Sequence, residues 1–90
     1  MKVKFFATYR KIVGAGAIDV PAPNDVLGLL QELSKRYPAF REILLNEDGT
    51  DKGWDVIVMV CGRHIDHLDG VRTPLSESDY VALTPLVAGG

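Results

Sequence analysis

Residues 2–9 alternate along the chain, with Val3, Phe5, Ala7 and Tyr9 set against Lys2, Lys4, Phe6 and Thr8. A period of two predicts a strand, and the adjacent Phe5 and Phe6 then point to opposite faces of its sheet. Gly14 and Gly16 interrupt the pattern and predict a hairpin turn over residues 11–16. Position 19 is Asp where a dinucleotide loop would carry its third glycine, and no strand-to-helix context follows, so that motif is set aside. Residues 17–20 read as a second short strand ended by Pro21 and Pro23. Asn24 or Asp25 is placed to cap a helix. In that helix Val26, Leu29, Leu30, Leu33 and Tyr37 share one face, with Gln31, Glu32, Lys35 and Arg36 largely off it. Gly28 costs it about 1 kcal/mol relative to Ala, and Pro38 ends it.

Phe40, Ile43 and Leu44 predict a further helical turn over residues 39–45, and residues 46–53 form a polar, glycine-bearing loop. Residues 54–61 are the clearest strand, with Val56, Val58 and Val60 opposing Ile57, Met59 and Cys61. Both of its faces are apolar, which predicts a central position or cover on both sides. Gly62-Arg63 reads as a tight turn and residues 64–68 as a short return strand. Gly70 and Pro74 mark irregular structure before a last strand from Tyr80 to Leu83 or Thr84.

The order is therefore hairpin, helix, strand, short strand, irregular turn, strand. A helix carrying the chain across the sheet favours a right-handed crossover that sets the first and last strands side by side and parallel. The predicted class is α+β: a mixed sheet of four to five strands packed on one main helix, the β-grasp or ubiquitin-like arrangement. A ferredoxin-like fold needs a second crossover helix, and the stretch between Leu68 and Tyr80, broken by Gly70 and Pro74, is too short for one. One helix leaves one sheet face incompletely covered. Phe6, pointing there, would offer an apolar partner site; the alternative is that a neighbouring strand or the 39–45 turn shields it.

Composition narrows the classes. The 90 residues make one domain, and 47% hydrophobic with 24% charged residues excludes a disordered chain. A net charge of -2 leaves no electrostatic footprint for nucleic acid. No apolar run approaches the ~20 residues of a membrane span, and a single cysteine excludes an internal disulfide, which points to the reducing cytoplasm.

The last seven residues, Thr84-Pro85-Leu86-Val87-Ala88-Gly89-Gly90, carry no charged side chain. Pro85 removes a backbone donor and is expected to stop the final strand, leaving residues 84–90 as a flexible tail. Six extended residues reach about 20 Å. The α-carboxylate, with a pKa of about 3.5, is ionised at neutral pH, and glycine's missing Cβ lets such a tip enter a narrow cleft. The bland alternatives are a fraying terminus or a chance Gly-Gly.

A β-grasp order ending in Gly-Gly resembles the ubiquitin-like sulfur carriers, closest to the small subunit of molybdopterin synthase (the MoaD branch), with the thiamin carrier (the ThiS branch) more distant. The resemblance runs through Val3-Lys4-Phe5-Phe6-Ala7-Thr8-Tyr9-Arg10, the Val13-Gly14 turn, Val58-Met59-Val60-Cys61-Gly62-Arg63, Asp79-Tyr80-Val81-Ala82-Leu83 and the tail. It departs at Cys61, where Asn is usual, at Ser78, where Gly is common, and at Leu86, which replaces a second proline. It implies that a ubiquitin-activating-like adenylyltransferase, using ATP and magnesium, joins the Gly90 carboxylate to AMP. A persulfide donor then supplies sulfur to make a thiocarboxylate. Pro85, Leu86, Val87, Ala88 and Gly89 would thread into a second enzyme, the large subunit of molybdopterin synthase or another sulfur acceptor. The chain would bind no cofactor itself and supply delivery rather than catalysis. Isopeptide linkage through Gly90, as in a protein modifier, and a non-catalytic interaction module stay open beside it.

Cys61, His64 and His67 form Cys-x2-His-x2-His, but strand residues three apart face opposite ways, so no metal site is expected. Cys61 is expected to be a small buried hydrophobe. Glu77 and Asp79 read as turn residues, and no nucleophile-base constellation is visible.

Overall fold

The computed structural model describes residues 1–52 and 56–86. Five strands form one mixed sheet: β1 (Lys2–Phe5), β2 (Ala17–Asp19), β3 (Val56–Val60), β4 (Arg63–His64) and β5 (Tyr80–Pro85). Their order is β2-β1-β5-β3-β4. β1 and β5 run parallel, with Lys2 opposite Tyr80 and Phe5 opposite Leu83. The other neighbours are antiparallel. This is the β-grasp arrangement, with the chain's first and last strands side by side.

The predicted main helix is α2 (Val26–Arg36), capped by the Asp25 carboxylate, which accepts the Gly28 N–H at 2.8 Å. Gly28 has a local reason to be glycine: a Cβ there would lie 3.2 Å from Pro23 Cβ and 3.3 Å from the capping oxygen. Val26, Leu29, Leu30 and Leu33 are buried against the sheet's inner face, where they meet Val3, Phe5, Val58, Val81 and Leu83. Tyr37 is only partly buried. The turn after Pro38 is a 3₁₀ turn, Pro38–Phe40, running into the short helix α3 (Arg41–Leu44). Phe40 closes the end of the core, stacked on Phe5 at 5.9 Å and edge-on to Tyr9 at 5.3 Å.

Three expectations need correction. The first strand stops at Phe5 rather than Tyr9, because Ala7 takes a positive φ of 53° and the chain re-forms as a one-and-a-half-turn helix, α1 (Thr8–Val13). Tyr9 is thus buried from a helix, and the predicted turn over residues 11–16 shrinks to Gly14, left-handed at φ 81°, and the residues just after it. The return strand over residues 64–68 is β4, two residues long, followed by the 3₁₀ turn Ile65–His67. Finally, Pro85 does not stop the last strand: β5 includes it, opposite Val56. The tail thus leaves the sheet two residues later than predicted. Pro85 is tolerated because a strand's last residue needs no further ladder donor. The strand predicted over residues 54–61 is seen from Val56; Trp54 lies outside the described residues.

Candidate functional site

The sheet's inner face is closed by α2, and among the described residues no helix covers its outer face. Strand alternation assigns Lys2 and Lys4 of β1, Ile57 and Met59 of β3, and Tyr80, Ala82 and Thr84 of β5 to the outer face. The register aligns them in rows: Lys4, Ala82, Met59 and His64 lie across four neighbouring strands. Phe6 extends β1 by one bond, its N–H donating to the Leu83 carbonyl at 3.1 Å, and its side chain is 46% exposed. That places it beside Thr84 and Ile57, at the end of the sheet from which the tail departs. Among the described residues neither a strand nor α3 shields it, and the ring stays exposed. Tyr80 is 42% exposed, with Lys4 Nζ 5.7 Å from its ring centroid, a contact worth about 0.5–1 kcal/mol at such sites.

β5 is the central strand, held by β1 on one side and β3 on the other, so its C-terminal end is fixed relative to the open face. Pro85 is half-buried as the strand's last residue, and Leu86, 56% exposed, follows it. Val87, Ala88, Gly89 and Gly90, the remaining predicted tail residues, lie outside the described residues. Three of the predicted site residues, Phe6, Pro85 and Leu86, therefore sit at one end of the sheet. Sequence reasoning missed Ile57 as the neighbour of Phe6, and Met59 and Tyr80 further along the same face. Strand parity relative to Phe6, once β1 and β5 are paired, would have found them.

Cys61 is exposed, which corrects the expectation of a buried hydrophobe. Cys61 and Gly62 are the two central residues of the turn joining β3 and β4, with φ of 51° and 84°. Two-residue hairpins favour such left-handed pairs, with Asn-Gly the common choice, and the turn carries the cysteine off the sheet. Its thiol lies 3.4 Å from Asp79 Oδ1, while Asp79 Oδ2 accepts the Ser76 N–H at 2.9 Å. That N–H is the main reason the Asp79 carboxyl is held below its ordinary value of 3.8; the thiol contact adds to it and desolvation opposes. His64 and His67 meet edge-on at 6.4 Å, and His64 Nδ1 accepts the Asp66 N–H at 3.0 Å. Among the described residues no three His, Cys, Asp or Glu side chains converge as metal ligands, and no helix is long and apolar enough to cross a membrane.

The profile of the ThiS family matches residues 3–90. The chain is 38% identical over 92 residues to small archaeal modifier protein 3 of Haloferax volcanii, spanning 100% of this chain and 98% of that one. Its fold superposes with a TM-score of 0.86 on small archaeal modifier protein 1 from Methanosarcina acetivorans, at 28% identity over 99% of this chain and 94% of that one. A Pyrococcus furiosus protein assigned as molybdopterin converting factor subunit 1 gives a TM-score of 0.72 at 33% identity, over 96% and 95% of the two chains.

Proposed function

Since the chain belongs to the ThiS family, whose profile spans it from residue 3 to residue 90, we propose that it is a sulfur carrier working through the Gly90 carboxylate, most directly in molybdopterin formation. The observation that carries the reading is the exit of the tail: the central strand ends at Pro85, beside exposed Phe6, and no residue from there to Gly90 carries a charged side chain. A partner that holds the open face thereby holds the root of the thread, and an uncharged thread enters a protein channel with little desolvation cost.

A carboxylate is a poor acyl donor until its oxygen becomes part of a leaving group. In a partner adenylyltransferase, a Gly90 oxygen attacks the α-phosphorus of ATP and releases pyrophosphate, with magnesium neutralising the phosphates. The terminal sulfur of a persulfide displaces AMP, and a thiol cleaves the resulting acyl disulfide to leave the thiocarboxylate. The sulfur then passes to a pterin held by the large subunit of a molybdopterin synthase. This carrier contributes position and the carboxylate, binds no cofactor of its own, and works in the cytoplasm.

A second reading is favoured by one observation, the 38% identity to a protein named as a small archaeal modifier. The same acyl-adenylate then passes to a lysine amine and forms an isopeptide. The two readings share their first step. Deleting Gly90 withdraws the carboxylate by about 3.5 Å, one extended residue, and an ångström of misplacement costs ~100-fold in rate. We expect the deletion, and Gly89→Val, to melt as the parent does while no longer driving ATP–pyrophosphate exchange with the cognate activating enzyme. Undiminished exchange by both would remove tail chemistry and leave an interaction module. Intact mass of the protein from its own cells then separates the readings: exchange of one oxygen for sulfur marks the carrier, and lysine-linked adducts mark the modifier.

A further inference from the structure

The β3–β4 ladder covers only Met59 and Val60, because the chain coils into the Ile65–His67 turn directly after β4. Among the described residues, Val56 and Ile57 of β3 have β5 on one side and no strand on the other, the β4 side. A groove of ≈ 580 Å³ opens there, with apolar walls that include Ile57, Ile65, Val71 and Leu86. Asp51 and Asp66 stand at its edge, and among the described residues no lysine or arginine lines it. The cation nearest Asp51 in sequence, Lys52, directs its ammonium to the Glu42 carbonyl. His64 also lines the groove, its Nδ1 accepting the Asp66 N–H at 3.0 Å and standing 3.7 Å from the Asp66 carboxylate, and Asp51 and Asp66 are the acidic side chains among the described lining residues. The Asp66 side chain is 82% exposed.

We propose that this groove seats an arginine-bearing segment of the protein that takes the tail. The proposal rests on the reading that the tail is handed to an activating partner. Three features select the occupant. Leu86 belongs both to the groove and to the start of the thread, so whatever encloses the thread lies next to the groove. Its walls are apolar while its edge is anionic, which matches a long aliphatic stem ending in a cation. A guanidinium donates in a fixed fork that suits carboxylates and is weakly hydrated, whereas a lysine ammonium is not pre-shaped for that geometry. A second copy of this chain is the wrong partner. Two-fold pairing across the groove would bring Asp51 and Asp66 of both copies together, and like charges facing one another oppose association.

The test is calorimetric titration of the full chain with its cognate activating enzyme, comparing the wild type, the double variant Asp51→Lys/Asp66→Lys and the Gly90 deletion. Asp66 is exposed and Asp51 half-buried, and the contacts of Asp51 run through its backbone, so the double variant should keep a melting temperature close to the parent's. We expect its Kd to rise at least tenfold, with a flatter dependence on salt, since charges at an interface edge act through steering and ionic strength. The maximal rate of ATP–pyrophosphate exchange at saturating carrier should be unchanged, because the carboxylate is untouched. Binding within twofold of the wild type would overturn the proposal, as would a wild-type dimer that the double variant dissolves. The Gly90 deletion separates the two levels: it should bind with the wild-type salt dependence and fail in exchange. Exchange retained by the deletion would sink the tail reading, and failure of the wild type to bind at all would remove tail reading and groove together.

Discussion

Asp79 shows how much a single half-buried side chain does at the β3–β4 turn. It accepts the Ser76 N–H with one oxygen and lies within reach of the Cys61 thiol with the other. Its pKa in the folded chain is thereby depressed below 3.8. Asp48 is depressed in the same direction, first by the Thr50 hydroxyl and then by the Thr50 N–H. A depressed folded pKa means that the unfolded chain binds the proton more readily. The contribution to stability is present above the unfolded pKa and lost as pH falls through the folded one. Thermal scans between about pH 6 and pH 2.5 should show a shallower acid decline for Asp79→Asn than for the parent. The two curves should converge at the acid end; parallel curves would mean that the carboxylate is not held by these contacts. Little of this was legible in the sequence. Asp79 could be recognised as a turn residue, but the exposure of Cys61 depends on a positive φ, a backbone property that a valine-rich strand pattern conceals.

At the scale of elements, α2 was read almost to the residue, because five apolar positions at helical spacing between a cap and a proline leave little freedom. Leu30 is 3% exposed in the core between α2 and the sheet, so Leu30→Ala should cost about 2–5 kcal/mol in chemical denaturation. A loss near about 0.5 kcal/mol, the scale of a surface change, would contradict the packing. α1 was missed for an identifiable reason. Tyr9, Ile12 and Val13 have the i, i+3, i+4 spacing of a helix, but the strand-like alternation of residues 2–9 runs straight into it. A six-residue helix offers too few turns to outweigh that signal. β4 fell short because its length is set by where the chain must coil to cover the core with Ile65, a tertiary demand with no local signature.

At the scale of the whole molecule, the sheet order followed from the sequence because one long helix between a hairpin and three further extended segments leaves few unknotted ways to close a sheet. The candidate site was half legible: its tail was plain in the composition, while the surface beside the tail emerged only when pairing placed Phe6 next to Thr84 and Ile57, on the face that also carries Met59 and Tyr80. Phe6 is 46% exposed and can be changed without opening the core. Phe6→Ser should therefore weaken binding to the activating enzyme several-fold while shifting the melting temperature by only a few degrees. Equal affinity for both forms would take Phe6 out of the contact.

The parallel pairing of β1 and β5 has a mechanical consequence. The chain enters at one end of this ladder and leaves at the other, with Lys2 beside Tyr80 and Leu83 beside Phe5. Tension applied between the N-terminus and the thread beyond Pro85 therefore acts along the strands in opposite directions. It strains every bond of that ladder at once instead of peeling them in turn. A pulling machine that grasped the chain beyond Pro85 would therefore load this ladder in shear.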